Sequence, residues 1–320
     1  MSKILLGEVD GSQMRLTLAS PGARPEAAVI WDCASVQELD ARLDAFMNDA
    51  GRPSLAAAAF CAAGPVQDDA IRLTHADMQI GRPHLRKLLG TPRVHLVNDF
   101  TACAMAVPHL DARDIEKVGR GVALHDMPMG VIGPWRRGCG VSTLAPDSSG
   151  DWFALPGEGG HVLVAATNDH EAEVLSVMRK TIGRISADEV VSETGLLNLQ
   201  SAVAELAGQP RLGSVDAILT AATDGDEVAL EALRLFTGWT GDIAGNLALT
   251  IGARGGVYIC SELMAAHPAL FDRALLRARF EDKGCMHSYV ADIPLHLVAM
   301  PEVGLLGLST LFKAADFRKN

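Results

Sequence analysis

One pattern in this chain limits its fold more than any other. Two apolar runs joined by a short glycine-bearing turn open an alternation of strands and helices, and this happens twice. Ile4–Val9 and Met14–Ala19 flank Asp10-Gly11-Ser12-Gln13, the layout of a β-hairpin. Met129–Gly133 and Gly140–Leu144 flank Pro134-Trp135-Arg136-Arg137-Gly138-Cys139 in the same manner. After the first pair, Ala27–Asp32 predicts a third strand. Val36–Asn48 predicts a helix, with Leu39, Leu43 and Phe46 at helical spacing. Leu55–Ala63 reads as a buried strand stopped by Gly64-Pro65. Val94–Val97 follows as a strand and Phe100–Val107 as its helix. The alternation predicts an α/β fold with a mainly parallel sheet and crossover helices. After the second pair the spacing predicts helices over Glu171–Ile182, Thr194–Leu206, Val215–Ala222 and Val228–Asn246, strands over Gly256–Cys260 and Ile293–Val298, and a closing helix over Val303–Ala315. Two related lobes facing across a cleft account for the duplication economically. Two unrelated hairpins in one mixed sheet are the alternative.

A length of 320 residues suits two domains of ordinary size. With 28 basic against 39 acidic residues the net charge is −11. Such a surface repels phosphate backbones and anionic lipid, which argues against nucleic acid and membrane as partners. A nucleotide then needs local donors that overcome the field. MSKILLGEVDG has neither the apolar core nor the cleavage site of a signal peptide. The longest apolar stretches, such as Leu55–Ala63, are about half of what a membrane helix needs, so a cytoplasmic protein is expected. Six scattered cysteines without CxxC pairs fit free thiols in a reducing compartment. Neither HExxH nor paired Cys/His spacing occurs, so no structural metal is expected.

Two segments have the composition of a polyol site. In Val94-His95-Leu96-Val97-Asn98-Asp99 a strand runs into an Asn-Asp pair where a helix begins. Ligands of α/β sheets bind at that carboxyl end. Asp99 there could accept a proton from a substrate hydroxyl, and Asn98 offers both a donor and an acceptor. Asn and Asp are also favoured helix caps. In Leu155-Pro156-Gly157-Glu158-Gly159-Gly160-His161-Val162 a carboxylate and an imidazole stand three positions apart among three glycines, which permit close backbone approach to a ligand. A plain glycine turn with solvated Glu158 and His161 has the same spacing.

Asn98-Asp99-Phe100-Thr101-Ala102 and Leu155-Pro156-Gly157-Glu158-Gly159-Gly160-His161 resemble the two sugar signatures of the bacterial glucokinases. Gly245-Asn246-Leu247-Ala248-Leu249, Gly255-Gly256-Val257, Phe280-Glu281-Asp282-Lys283-Gly284 and Gly304-Leu305-Leu306-Gly307 resemble further family motifs, in the family's order. The resemblance implies the two-lobed actin-like/hexokinase (ribonuclease H-like) fold. It implies a small α/β lobe over 1–109 completed by the C-terminal helix 301–320, and a large lobe over 110–300. It also implies phosphoryl transfer from magnesium ATP to the 6-hydroxyl of glucose, with Asp99 as base and Asn98, Glu158 and His161 on the ring hydroxyls. Asp188, in Ile185-Ser186-Ala187-Asp188-Glu189, stands where the family usually has a glutamate. It is one methylene shorter, and Glu189 could replace it only through a shift of register. Leu73-Thr74-His75-Ala76-Asp77-Met78 also departs from the family near the sugar. The cysteine-rich zinc motif of the related ROK kinases is missing. Family members are often dimers, so a homodimer is one assembly the resemblance allows.

The nucleotide elements depart further. The family's first hairpin reads close to Gly-Asp-Val-Gly-Gly-Thr-Asn; here it is Gly7-Glu8-Val9-Asp10-Gly11-Ser12-Gln13. By resemblance Gly11 and Ser12 face the phosphates, and Glu8 stands where the magnesium-water ligand belongs. Asp10 adds charge beside the β/γ-phosphates, costing about 4 kcal/mol at ~4 Å unless a metal lies between. Asp10 recruiting the magnesium is the alternative. In the second hairpin Gly138 and Gly140 match phosphate-loop glycines, but Trp135-Arg136-Arg137 replaces a Gly-Thr pair. Ser261-Glu262 replaces a glycine pair at the adenosine end. Weak nucleotide binding follows. A sugar-binding protein without catalysis and a kinase with another phosphoryl donor are the competing expectations.

Overall fold

The first hairpin forms where its pattern predicts. In the computed structural model, which describes residues 3–74, 76–135, 137–148 and 150–313, β1 (Lys3–Val9) and β2 (Gln13–Ala19) pair antiparallel. The third strand, β3 (Val29–Asp32), pairs with β2. Helix α1 (Val36–Asp49) follows, and the Ser35 hydroxyl accepts the Glu38 N–H at its start. Then β4 (Leu55–Ala62) lies parallel to β1. Short strands β5 (Val66–Gln67), β6 (Ala70–Arg72) and β7 (Gln79–Gly81) make a separate small sheet before α2 (Arg82–Leu89). β8 (Val94–Asn98) returns parallel to β4 and runs directly into α3 (Asp99–Ala106).

The second unit repeats the layout. After β9 (Ile115–Val118), strands β10 (Met129–Pro134), β11 (Cys139–Pro146) and β12 (Trp152–Gly157) form an antiparallel meander. Helices α4 (Asp169–Ile182), α5 (Glu193–Ala207), α6 (Val215–Thr223) and α7 (Glu227–Ile251) lead to β13 (Gly256–Cys260), parallel to β10. Helices α8 (Glu262–Ala266), α9 (Arg273–Glu281) and α10 (His287–Ala291) then lead to β14 (Leu295–Val298), parallel to β13. Helix α11 (Val303–Ser309) follows. The sheet orders are β3-β2-β1-β4-β8 and β12-β11-β10-β13-β14-β9. Both are therefore three antiparallel strands followed by two parallel ones, with β9 added at one edge. The chain separates into two compact units, Met1–Leu110 with Pro301–Asn320 and Asp111–Met300.

These sheets are mixed, not mainly parallel as the alternation predicts. Strands joined by a turn of a few residues can only pair antiparallel, while parallel pairs need the helical crossovers that follow. The closing helix ends at Ser309, short of the predicted Ala315; Ala314 and Ala315 lie outside the described residues. Helix α7 runs on to Ile251, where Gly252 in the left-handed conformation stops it.

In the first unit β1 divides its side chains strictly by period two. Leu5 faces a core with Leu39, Leu43 and Phe46 of α1, while Ile4 and Leu6 face Ala102 of α3 and Leu305 and Leu308 of α11. Helix α11 lies unusually close to α3. A Cβ on Gly307 would overlap the Ala102 carbonyl oxygen, and one on Gly304 would sit 2.7 Å from a Glu8 carboxylate oxygen. The Gly-Leu-Leu-Gly ending is thus the surface against which α3 is seated. In the second unit Gly241 and Gly245 do the same for α7 against α9. The core there gathers Leu196, Leu199, Phe236, Trp239, Val257, Leu276 and Phe280.

Candidate active site

Asp99 is the first residue of α3, at the carboxyl end of β8. It is buried, and its Oδ1 accepts the Phe100 N–H at 2.9 Å. Asn98 is the N-cap: its Oδ1 accepts the Thr101 N–H at 3.0 Å, and its Nδ2 donates to the Gly64 carbonyl at 3.3 Å. The cap and the candidate sugar ligand are therefore one residue. A helix start presents its first N–H groups at this point. Gly64 itself holds φ at +159°, where a Cβ would overlap the Arg72 carbonyl oxygen. Thr74 donates its N–H to Ala63 in the same region, and His75 lies outside the described residues.

Glu158, His161 and Asp188 come together in the second unit. Backbone bonds do this: Asp188 N–H donates to Gly160 O at 2.9 Å and Ala187 N–H to Val162 O at 3.0 Å. His161 Nδ1 lies 3.4 Å from Asp188 Oδ2, and its Nε2 lies 3.9 Å from Glu158 Oε2. Glu158 and His161 are about half exposed, whereas Asp188 is 8 % exposed. Two of the three glycines have a steric reason. A Cβ on Gly159 would press into Val141, and one on Gly160 would overlap both the Cys139 carbonyl and Asp188. Asp188 Oδ1 accepts the Cys139 N–H at 2.7 Å. Forty-nine positions separate the two, so no motif spacing could have announced that bond. Glu189 does not share these contacts: its carboxylate accepts from Asn198 Nδ2 at 3.2 Å. Behind this loop lies a cavity of about 450 Å³. Gly159 and Val162 form one wall, and Asn246, Leu247 and Lys283, from two motifs without a sequence-derived role, form another. Lys283 bonds Asp242 in this lining; Arg279 of α9 bonds Asp242 too, and also the buried Glu171.

The glycine-bearing turns are shaped differently. At the β1–β2 turn, Asp10 Oδ1 accepts three hydrogen bonds, from Ser12 N–H at 2.7 Å, Ser12 Oγ–H at 2.7 Å and Gln13 N–H at 2.6 Å. Gly11 holds φ at +83°, and a Cβ there would lie 2.7 Å from Ala76 Cβ. Glu8 is buried and pairs with Arg15 at 3.2 Å. At the β10–β11 turn Trp135 N–H donates to Gly138 O at 2.9 Å, and Trp135 O accepts the Glu193 N–H that opens α5. Gly140 pairs with Gly133 inside the hairpin. Arg137 is exposed, and Arg136 lies outside the described residues. Ser261 caps α8, its hydroxyl accepting the Met264 N–H at 3.3 Å.

The family model described as Glucokinase matches residues 5–315. The chain belongs to the glucokinase family. A glucokinase-like protein of Caulobacter vibrioides is 39 % identical over 310 residues, covering 97 % of this chain and 96 % of that one. A glucokinase of Paramagnetospirillum magneticum is 35 % identical over 311 residues, covering 96 % and 97 %. The crystal structure of a glucokinase from an Antarctic psychrotroph superposes with a TM-score of 0.82 at 25 % identity, over 98 % of this chain and 99 % of that one. The fold is accordingly the two-lobed actin-like sugar-kinase fold. Within this family frame, Glu8 and Asp10 do not form a ligand set for a resident magnesium. Glu8 is turned to Arg15, and Asp10 Oδ1 to the turn's own donors. Among the described residues no group of three or more His, Cys, Asp or Glu could hold a metal ion. No helix among the described residues is long and apolar enough to cross a membrane.

Proposed function

We propose that this chain is a glucose kinase that transfers the γ-phosphoryl group of magnesium ATP to the 6-hydroxyl of glucose. The observation that carries the proposal is the family match over residues 5–315, with both sugar signatures kept, one where β8 meets α3 and one in the loop after β12. Asp99 accepts the 6-hydroxyl proton as the oxygen attacks the γ-phosphorus, and ADP leaves with the bridging oxygen. Asn98, Glu158, His161 and Asp188 hydrogen-bond the other hydroxyls. Little covalent chemistry falls to the protein, so rate comes from positioning and electrostatics. Residues 1–109 with 301–320 serve as the small lobe and 110–300 as the large one. Gly11, Ser12, Gly138, Gly140 and Ser261 belong to the nucleotide elements. The competing idea of a non-catalytic sugar-binding protein draws no support from the relatives.

A coupled assay with magnesium ATP, pyrophosphate and polyphosphate across common hexoses tests the proposal. Glucose phosphorylated with ATP is the expected result. Phosphorylation of no hexose by any donor, or only by a donor other than ATP, overturns it.

A further inference from the structure

In the turn between β1 and β2 a carboxylate is seated among the turn's own donors. Three donors converge on one carboxylate oxygen: two successive backbone N–H groups, of Ser12 and Gln13, and the Ser12 hydroxyl, all within 2.7 Å of Asp10 Oδ1. Successive N–H groups aimed at one point form an anion-binding concavity, the arrangement that phosphate loops use. Here the anion is supplied by the chain itself. Gly11 stands at positive φ, and a Cβ there would meet Ala76 and Leu73. The Asp10 side chain leaves its donors by a rotation about its own bonds.

We propose that Asp10 is a tethered anion seated on the phosphate donors of the first hairpin, and that nucleotide phosphate must displace it to bind. Asp10 is then the residue that sets nucleotide affinity, and it does so without touching the sugar. The inference rests on the proposed kinase function, since it takes this hairpin as a nucleotide element. Two effects act in the same direction. A tethered carboxylate makes its three bonds without the entropy cost a free ligand has to meet. Once displaced, its charge remains near the incoming phosphate and repels it.

Two variants separate the effects. Asp10→Gly removes both acceptor and charge. Asp10→Asn keeps an oxygen able to accept the same three bonds, and so keeps the turn, but removes the charge and weakens the bonds. Steady-state kinetics give KM for ATP and for glucose, and calorimetric titration with magnesium AMPPNP gives nucleotide affinity without turnover. The expected order of KM for ATP is wild type, then Asp10→Asn, then Asp10→Gly, with at least about a tenfold fall across the series and KM for glucose within about twofold. An unchanged or higher nucleotide constant in Asp10→Gly overturns the inference, because Asp10 then assists binding, for example by holding the metal. If Asp10→Gly fails to fold, Asp10→Asn decides, a threefold or larger fall supporting the inference and any smaller fall, or none, overturning it. Nucleotide that binds tighter to the variants while no hexose is phosphorylated overturns the kinase function and leaves the role of Asp10 standing. Glucose turnover with an unaltered nucleotide constant does the reverse.

Discussion

Asp99 and Asn98 differ in what their side chains already do. Asp99 Oδ1 is held by the Phe100 N–H, which orients the carboxyl group. Asn98 closes the helix start with its oxygen and reaches Gly64 with its nitrogen. Asp99→Asn should therefore keep the fold and hold glucose affinity within about tenfold, while turnover falls roughly 10²–10⁴-fold. Calorimetry and steady-state kinetics check the two halves, and more than a tenth of wild-type turnover would show that Asp99 is not the base. Asn98→Ala should cost about 1 kcal/mol of stability from the lost cap, read by denaturant unfolding, and weaken glucose as well. Asn98→Asp keeps the cap oxygen, so a variant as stable as wild type that binds glucose more weakly would isolate the amide nitrogen's part.

At the scale of elements, the site depends on helices seated by glycine. Helix α3 carries Asp99, and α11 crosses it where Gly307 meets the Ala102 carbonyl. A methyl group at 307 must move backbone, not a flexible side-chain end. Gly307→Ala should destabilise the protein by about 1–3 kcal/mol and lower kcat at least as much as it changes KM, because α3 shifts with Asp99, the proposed base. Gly160→Ala makes a similar test on the second unit. Its Cβ would overlap the Cys139 carbonyl and Asp188, so the turn bearing His161 must move. The expected loss is in glucose affinity, by about tenfold or more, with the nucleotide constant little changed.

For the molecule as a whole, pH and thiol chemistry report on burial. Burial alone would raise the Glu171 carboxyl, yet hydrogen bonds from Arg279 and from the Thr167 N–H hold it below the usual carboxylate range. A depressed carboxyl stabilises the fold above its unfolded pKa, and that stability is lost as pH falls through the folded value. Acid unfolding should thus begin below about pH 4.5, in the Asp111–Met300 unit. Glu171→Gln should flatten that limb and cost about 3 kcal/mol at neutral pH, measured by urea titration at several pH values. Five cysteines are buried and Cys285 is exposed. Burial pushes the Cys33 thiol up to about 11. A thiol reagent should therefore label one cysteine per native chain quickly and the rest only on unfolding.

The duplicated hairpin, the helix after Asn98-Asp99 and the glycine-rich loop before His161 follow from the sequence because each is local. Period two, period 3.6 and turn chemistry act within a few residues. The family signatures named the chemistry for the same reason, being short runs with few ways to fold. What lay beyond sequence were bonds across long separations and the choice among acceptors. Asp188 belongs to Cys139 and His161 because backbone pairing brings two distant segments side by side. The strand directions of both sheets, and the role of the final glycines as a seat for α3, also depend on partners far along the chain. Asp10 is the sharpest case. Its place in the motif shows an acidic residue in the first glycine-bearing turn. Only the folded turn shows that the carboxylate points into the donors, since three hydrogen bonds there outweigh exposure to water.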